Sequence, residues 1–194
     1  MDDRRDLDRR SFLARAVGGA GLAWLSAVAA SVRLERAARA APTPEGAAPK
    51  VLTPAEWRTL EAAQDTLLPS EPDAPGARDV RATAYLDAAL ADPDTEPPRR
   101  DLVRAGAAAL DRLARDAGAT DFAALDEAGR DRAVEAYARS DEGAAWVDAT
   151  LAFTLEAMLG DPVHDANPGE VGWRWVGHVP GEPRPARKAQ EGGR

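Results

Sequence analysis

The chain contains no cysteine and no isoleucine, only two lysines (Lys50, Lys188) and only two histidines (His164, His178) in 194 residues. Without cysteine there are no disulfides, no thiolate nucleophile, no Cys-ligated iron–sulfur cluster and no c-type haem attached through Cys-x-x-Cys-His. A core without disulfides holds by packing alone, and abundant alanine in place of isoleucine favours helices with small contact residues. Nearly all basic work falls to arginine. No apolar run reaches the roughly 20 strongly hydrophobic residues of a membrane-spanning helix. There is no alternation long enough for a sheet, no repeat of some 20 to 50 residues, and no Gly-x-Ser-x-Gly elbow.

What the chain does have is an N-terminal address. Asp8-Arg9-Arg10-Ser11-Phe12-Leu13-Ala14 precedes an uncharged stretch, 16–32, rich in Ala and Gly and bounded by Arg15 and Arg33. This is the pattern of a twin-arginine export signal, with Arg9, Arg10, Phe12 and Leu13 carrying recognition by the translocase. Asp8 and Ala14 depart from the commonest form of the motif. Gly18, Gly19, Gly21, Ser26 and Ser31 dilute the stretch, as suits a signal that avoids the general secretion route. Small residues at Ala38 and Ala40 place cleavage between Ala40 and Ala41, with an uncleaved anchor as the competing outcome. Gly18-Gly19-Ala20-Gly21 follows no strand, so a nucleotide-loop reading is rejected.

The organisation expected is a signal over 1–40, a Pro/Ala-rich linker over 41–52, a helical domain over 53–160, an arm over 161–181 and a charged flexible tail over 182–194. The whole chain has a net charge of −8, and with 1–40 removed 17 basic and 28 acidic residues remain, a net of −11. An acidic surface with interspersed bases is a poor fit to nucleic acid.

The mature part reads as all-α, a small bundle of about five helices with an irregular Gly/Pro/Trp-rich C-terminal arm. Thr53-Pro54-Ala55-Glu56 is a capping box with proline at the first helical position. Trp57, Leu60, Gln64, Leu67 and Leu68 follow at near-helical spacing, and Pro69 ends the element. A second helix is expected over 77–91 with Val80, Ala84, Leu86 and Leu90 inward, and a third over about 100–117, with Gly118 at a left-handed C-cap. Asp126 caps a fourth. Ser140 opens a fifth, whose face of Trp146, Val147, Thr150, Leu151, Thr154, Leu155 and Met158 is broad enough for burial on more than one side.

Beyond Gly160, proline and glycine punctuate 161–181 so densely that no helix is expected there, yet both histidines and Trp173 and Trp175 fall in it. Exposed tryptophan costs hydrophobic free energy, so the segment either packs on the bundle or docks on another protein. A metal held by His164, His178, Asp161 and Asp165 is chemically conceivable. That leaves an independent exported enzyme or metal-binding protein using the His164/Asp165 region as the alternative to an interaction subunit. The carboxylate pairs Asp126/Glu127 and Asp141/Glu142 are helix-start charges that complement the dipole rather than an acid–base couple. The acidic loop 92–98 lacks the glycine and terminal glutamate of a calcium loop.

Taken together, the twin-arginine signal, Leu52-Thr53-Pro54-Ala55-Glu56 opening a Trp/Leu helix that ends in Leu67-Leu68-Pro69, Pro75-Gly76-Ala77-Arg78, and a closing Asp161-Pro162-x-His164 with Asn167, Gly172-Trp173, Gly177 and Pro180-Gly181 resemble the gluconate 2-dehydrogenase subunit 3 family. The resemblance covers nearly the whole chain and is most specific at its two ends. It implies a small non-catalytic subunit that binds no cofactor itself. Its partners would be a large FAD-dependent dehydrogenase subunit of the GMC type, which holds the flavin, and a c-type cytochrome subunit, which holds haem. The complex would be periplasmic and associated with the cytoplasmic membrane, the small subunit carrying the signal for both. The partner-binding residues so implied are Asp161, Pro162, His164, Asn167, Gly172, Trp173 and Trp175.

Overall fold

A computed structural model describes residues 49–164 and 166–181. Among these are six α-helices and three short 3-10 turns: α1 (Pro54–Leu67), α2 (Ala82–Ala91), α3 (Pro97–Asp116), a turn at Phe122–Ala124, α4 (Glu127–Ala138), α5 (Asp141–Leu159), turns at Pro162–His164 and Pro168–Glu170, and α6 (Val171–Val176). The described residues contain no named strand. None of their helices is long and apolar enough to cross a membrane.

Local chemistry sets most helix starts. Thr53 accepts from the Glu56 N–H while the Glu56 carboxylate accepts from the Thr53 N–H, closing the expected box. Asp126 and Ser140 cap α4 and α5 by accepting from Gly129 and Gly143. Pro97 and Pro98 open α3 three residues earlier than the spacing suggested, since proline in the first turn forfeits no intrahelical bond. At the far end Gly118 takes φ +88°, as expected of a left-handed cap.

The second helix departs from expectation at its start, Ala82 rather than 77. Asp79 turns back to accept from the Ser70 hydroxyl at 2.5 Å and the Gly76 N–H at 2.7 Å. Those two bonds, the hydroxyl's first, hold its carboxyl below the usual range. Arg81 stands at φ 57°, and the resulting turn keeps 77–81 out of the helix. Ala77 and Val80 are buried nonetheless.

Helix α5 lies against α1, α2, α3, α4 and α6. Its broad face is filled from within the chain, and Trp146, Thr150, Phe153, Thr154, Ala157 and Met158 are all buried. A polar thread runs through this core: the Thr83 hydroxyl donates to Gln64 Oε1 at 2.8 Å, and Gln64 Nε2 donates to Thr154 Oγ1 at 3.0 Å. Buried amides and hydroxyls need such partners, and these tie α1, α2 and α5 into one register. Asp111 plays a similar part between α1 and the Phe122 turn, accepting from Thr59 and from the Phe122 N–H. The lead-in is fixed as well, since the buried Asp87 carboxylate accepts from the backbone N–H groups of Lys50, Val51 and Leu52.

Candidate docking site

The arm is folded onto the end of α5, and it does contain a helix, contrary to the expectation from its glycines and prolines. Helix α6 is only six residues long, and left-handed residues bracket it: Glu170 at φ 62° before it and Gly177 at φ 69° after it. Gly172 fits inside because the helix crosses α5 closely. A Cβ on Gly172 would lie 2.1 Å from the Met158 carbonyl oxygen, so the glycine serves the crossing and does not break the helix.

The arm residues separate into two groups by burial. Facing inward, Trp173 is 7% exposed, donates its indole N–H to the Leu159 carbonyl at 2.7 Å, and meets the His178 ring edge-on at 4.8 Å between centroids. Asn167 is fully buried, and Gly172 lies against Met158. Asp161 turns the chain, accepting from the Val163 N–H on its side chain and from the His164 N–H on its carbonyl. Pro162 and His164 form the half-buried 3-10 turn that follows. Outward lie Trp175 at 43%, Val176 at 49%, Val179 at 84% and, at the end of α5, Leu159 at 49%. Of the seven residues implied by the resemblance, Trp175 is the one that presents a large apolar surface, and the buried ones among them shape the platform beneath it.

Leu159, Val176 and Val179 escaped the sequence reading. Leu159 stands one position past the last inward residue of α5, Met158, and that step turns it about 100° away from the core. Val176 closes α6, and Val179 lies beyond its left-handed cap Gly177, so the exposure of both depends on where that short helix ends.

Among the described residues no three His, Cys, Asp or Glu side chains come together as a metal site. Asp165, which completed the conceivable ligand set, lies outside the described residues. So do Arg9, Arg10, Phe12, Leu13, Ala38, Ala40 and Ala41, together with most of the linker and the tail.

The described chain is therefore a small all-α domain with a short helix docked at the end of α5, the helix that touches all the others, and with Leu159, Trp175, Val176 and Val179 exposed there and in the arm. It belongs to the gluconate 2-dehydrogenase subunit 3 family, whose model matches residues 54–181, from the first residue of α1 to the end of the arm. As a subunit of a gluconate dehydrogenase complex, it has partner subunits by implication. Neither the curated proteins nor the solved structures compared with it give a match.

Proposed function

We propose that this chain is the non-catalytic small subunit of a periplasmic FAD-dependent sugar or alcohol dehydrogenase, carrying the export signal and assisting the folding, assembly and export of the flavoprotein. The observation that carries the reading is the exposure of four large apolar side chains, Leu159 at the end of α5 and Trp175, Val176 and Val179 in the arm, on an acidic domain. Aromatic and aliphatic side chains gathered at one end of a fold are the usual anchors of a protein interface, and covering them recovers hydrophobic free energy. Membership of a dehydrogenase-subunit family supports a partner among the other subunits of such a complex.

In this proposal the family resemblance assigns the flavin to the large subunit, and haem to a c-type cytochrome subunit that receives the electrons. Because the twin-arginine route carries folded cargo, a flavoprotein bound at the arm can acquire its cofactor in the cytoplasm and cross with this chain. Membrane association then comes through the complex.

Co-purification tests the docking part. Tagged full chain co-expressed with its neighbouring genes is expected to retain a flavoprotein subunit, and Trp175→Ala combined with Val179→Ser is expected to release it. Retention undiminished in the double variant would defeat the assignment of this face.

A further inference from the structure

The docked arm depends on one side chain to an unusual degree. Asn167 is fully buried and stands at φ 49°, a left-handed backbone that asparagine tolerates better than any other residue with a side chain. Its amide bonds in both directions. Nδ2 donates to the Gly160 carbonyl at 3.1 Å, at the cap of α5, and Oδ1 accepts from the Gly172 N–H at 2.7 Å, in the first turn of α6. Its own backbone N–H donates to the Val80 carbonyl at 3.2 Å, and its carbonyl accepts from the Glu170 N–H at 2.9 Å. One residue thus joins the α1–α2 loop, the end of α5 and the start of α6.

Helix α6 requires such help. Isolated helices shorter than about 12–15 residues are marginal in water, and this one has six. The first N–H groups of a helix lack intrahelical acceptors, and Asn167 Oδ1 provides one. Aspartate has no donor for Gly160, serine is too short to bridge both partners, and glycine offers neither contact. Strain gathers at the same junction: Arg81, Asn167 and Glu170 are the non-glycine residues with positive φ among those described, Arg81 adjoins Val80, and Glu170 bonds to Asn167. Left-handed backbone of this kind persists only where its surroundings over-determine it.

We propose that Asn167 is a positioning residue that holds α6 in a preformed geometry, so that Trp175, Val176 and Val179 meet the partner already ordered; this rests on the docking reading above. A partner then binds without the ordering cost of a segment that folds on contact.

Two indole N–H groups provide the test, because each donates to a backbone carbonyl in a different part of the fold: Trp173 to Leu159 beneath α6, and Trp146 to Val103 in the core. Their hydrogen exchange is followed by NMR on the 15N-labelled full chain without partner. In the unsubstituted protein both indoles are expected to be protected. Asn167→Gly keeps the left-handed backbone and removes both side-chain bonds, and is expected to cost Trp173 at least roughly tenfold in protection while leaving Trp146 unchanged. Free exchange at Trp173 in the unsubstituted chain, or undiminished protection in the variant, would overturn the inference. So would equal loss at Trp146, which would make Asn167 a support of the whole fold.

Co-purification separates this inference from the reading beneath it. If Trp175→Ala with Val179→Ser leaves the flavoprotein bound, the docking face itself is wrong. If that double variant releases it and Asn167→Gly neither releases it nor frees Trp173, the positioning role alone fails.

Discussion

Gly106 on α3 leaves the space that Trp146 of α5 occupies: a Cβ on Gly106 would lie 2.0 Å from Trp146 Cδ1. The indole is fully buried there and donates to the Val103 carbonyl at 3.1 Å, one turn earlier on the same helix. Gly106→Ala would gain about 1 kcal/mol of helix propensity. Overpacking typically costs about 1–3 kcal/mol, and a contact this short belongs at the upper end or beyond. A net loss of about 2 kcal/mol is expected in denaturant unfolding; an unchanged midpoint would contradict the packing described.

Asp87→Ala should free the lead-in. The carboxylate is buried and accepts from three consecutive backbone N–H groups at 2.6 to 3.0 Å. Hydrogen bonds to a charged acceptor contribute about 1.5–3 kcal/mol each, but the released N–H groups regain water, so a loss of about 3 kcal/mol is expected. Amide exchange at 50–52 should accelerate more than exchange in α5. Equal protection at 50–52 in both proteins would refute the clamp.

Alkaline pH should destabilise the fold through Tyr85. Burial raises its phenol above the ordinary value of 10.0, and Glu156, which accepts its hydroxyl proton at 3.2 Å, raises it further against the opposing pull of Arg99. The unfolded chain thus loses this proton at lower pH than the folded one. Stability is full below the unfolded value and falls as pH rises above it toward the folded value. Tyr137 shifts in the same direction, also led by burial. Tyr85→Phe should therefore flatten, without abolishing, the decline in stability above pH 10.0. An unaltered slope in the variant would remove Tyr85 from the account.

Trp175→Ala with Val179→Ser should leave the fold nearly untouched. Both side chains are exposed, and surface substitutions of this kind usually change stability by no more than about 0.5 kcal/mol. Thermal unfolding of the isolated chain should be almost superimposable on that of the parent. A large drop would mean that Trp175 supports the fold, and partner loss in the double variant would then not report docking.

What the sequence made legible follows the range of the forces involved. Thr53, Asp126, Ser140 and Gly118 act within one helical turn, and their caps could be read directly. Much of the inward stripe of α5 was equally plain, since burial repeats with the helix: Trp146, Thr150, Leu151, Thr154 and Met158 are buried as expected, while Val147 and Leu155 are half-buried and Phe153 and Ala157 fill the face in their stead. Asp87 and Gln64 could not be read for their roles, because their partners lie far along the chain: Gln64 bonds to Thr154 across 90 positions. The side-chain partners of Asn167, Gly160 and Gly172, are only 7 and 5 positions away, but they meet it only once α6 has formed on the end of α5. The start of α2 moved because Asp79 satisfies loop donors that periodicity does not register. Helix α6 was missed because Gly172 looks like a breaker until Met158 stands behind it. At the docking face Trp175 was visible as a large aromatic in a punctuated segment, whereas the inward turn of Trp173 depended on the Leu159 carbonyl.

The carrier role is tested most directly by export. Full chain tagged at its C-terminus and co-expressed with its neighbouring genes should yield, from the periplasmic fraction, a complex with a flavin absorption spectrum and a co-eluting large subunit. Replacing Arg9 and Arg10 by lysine should remove both subunits from the periplasm together while they still co-purify from the cytoplasm. A lone colourless chain in the periplasm, or a flavoprotein that reaches it unaffected by the substitution, would contradict the account.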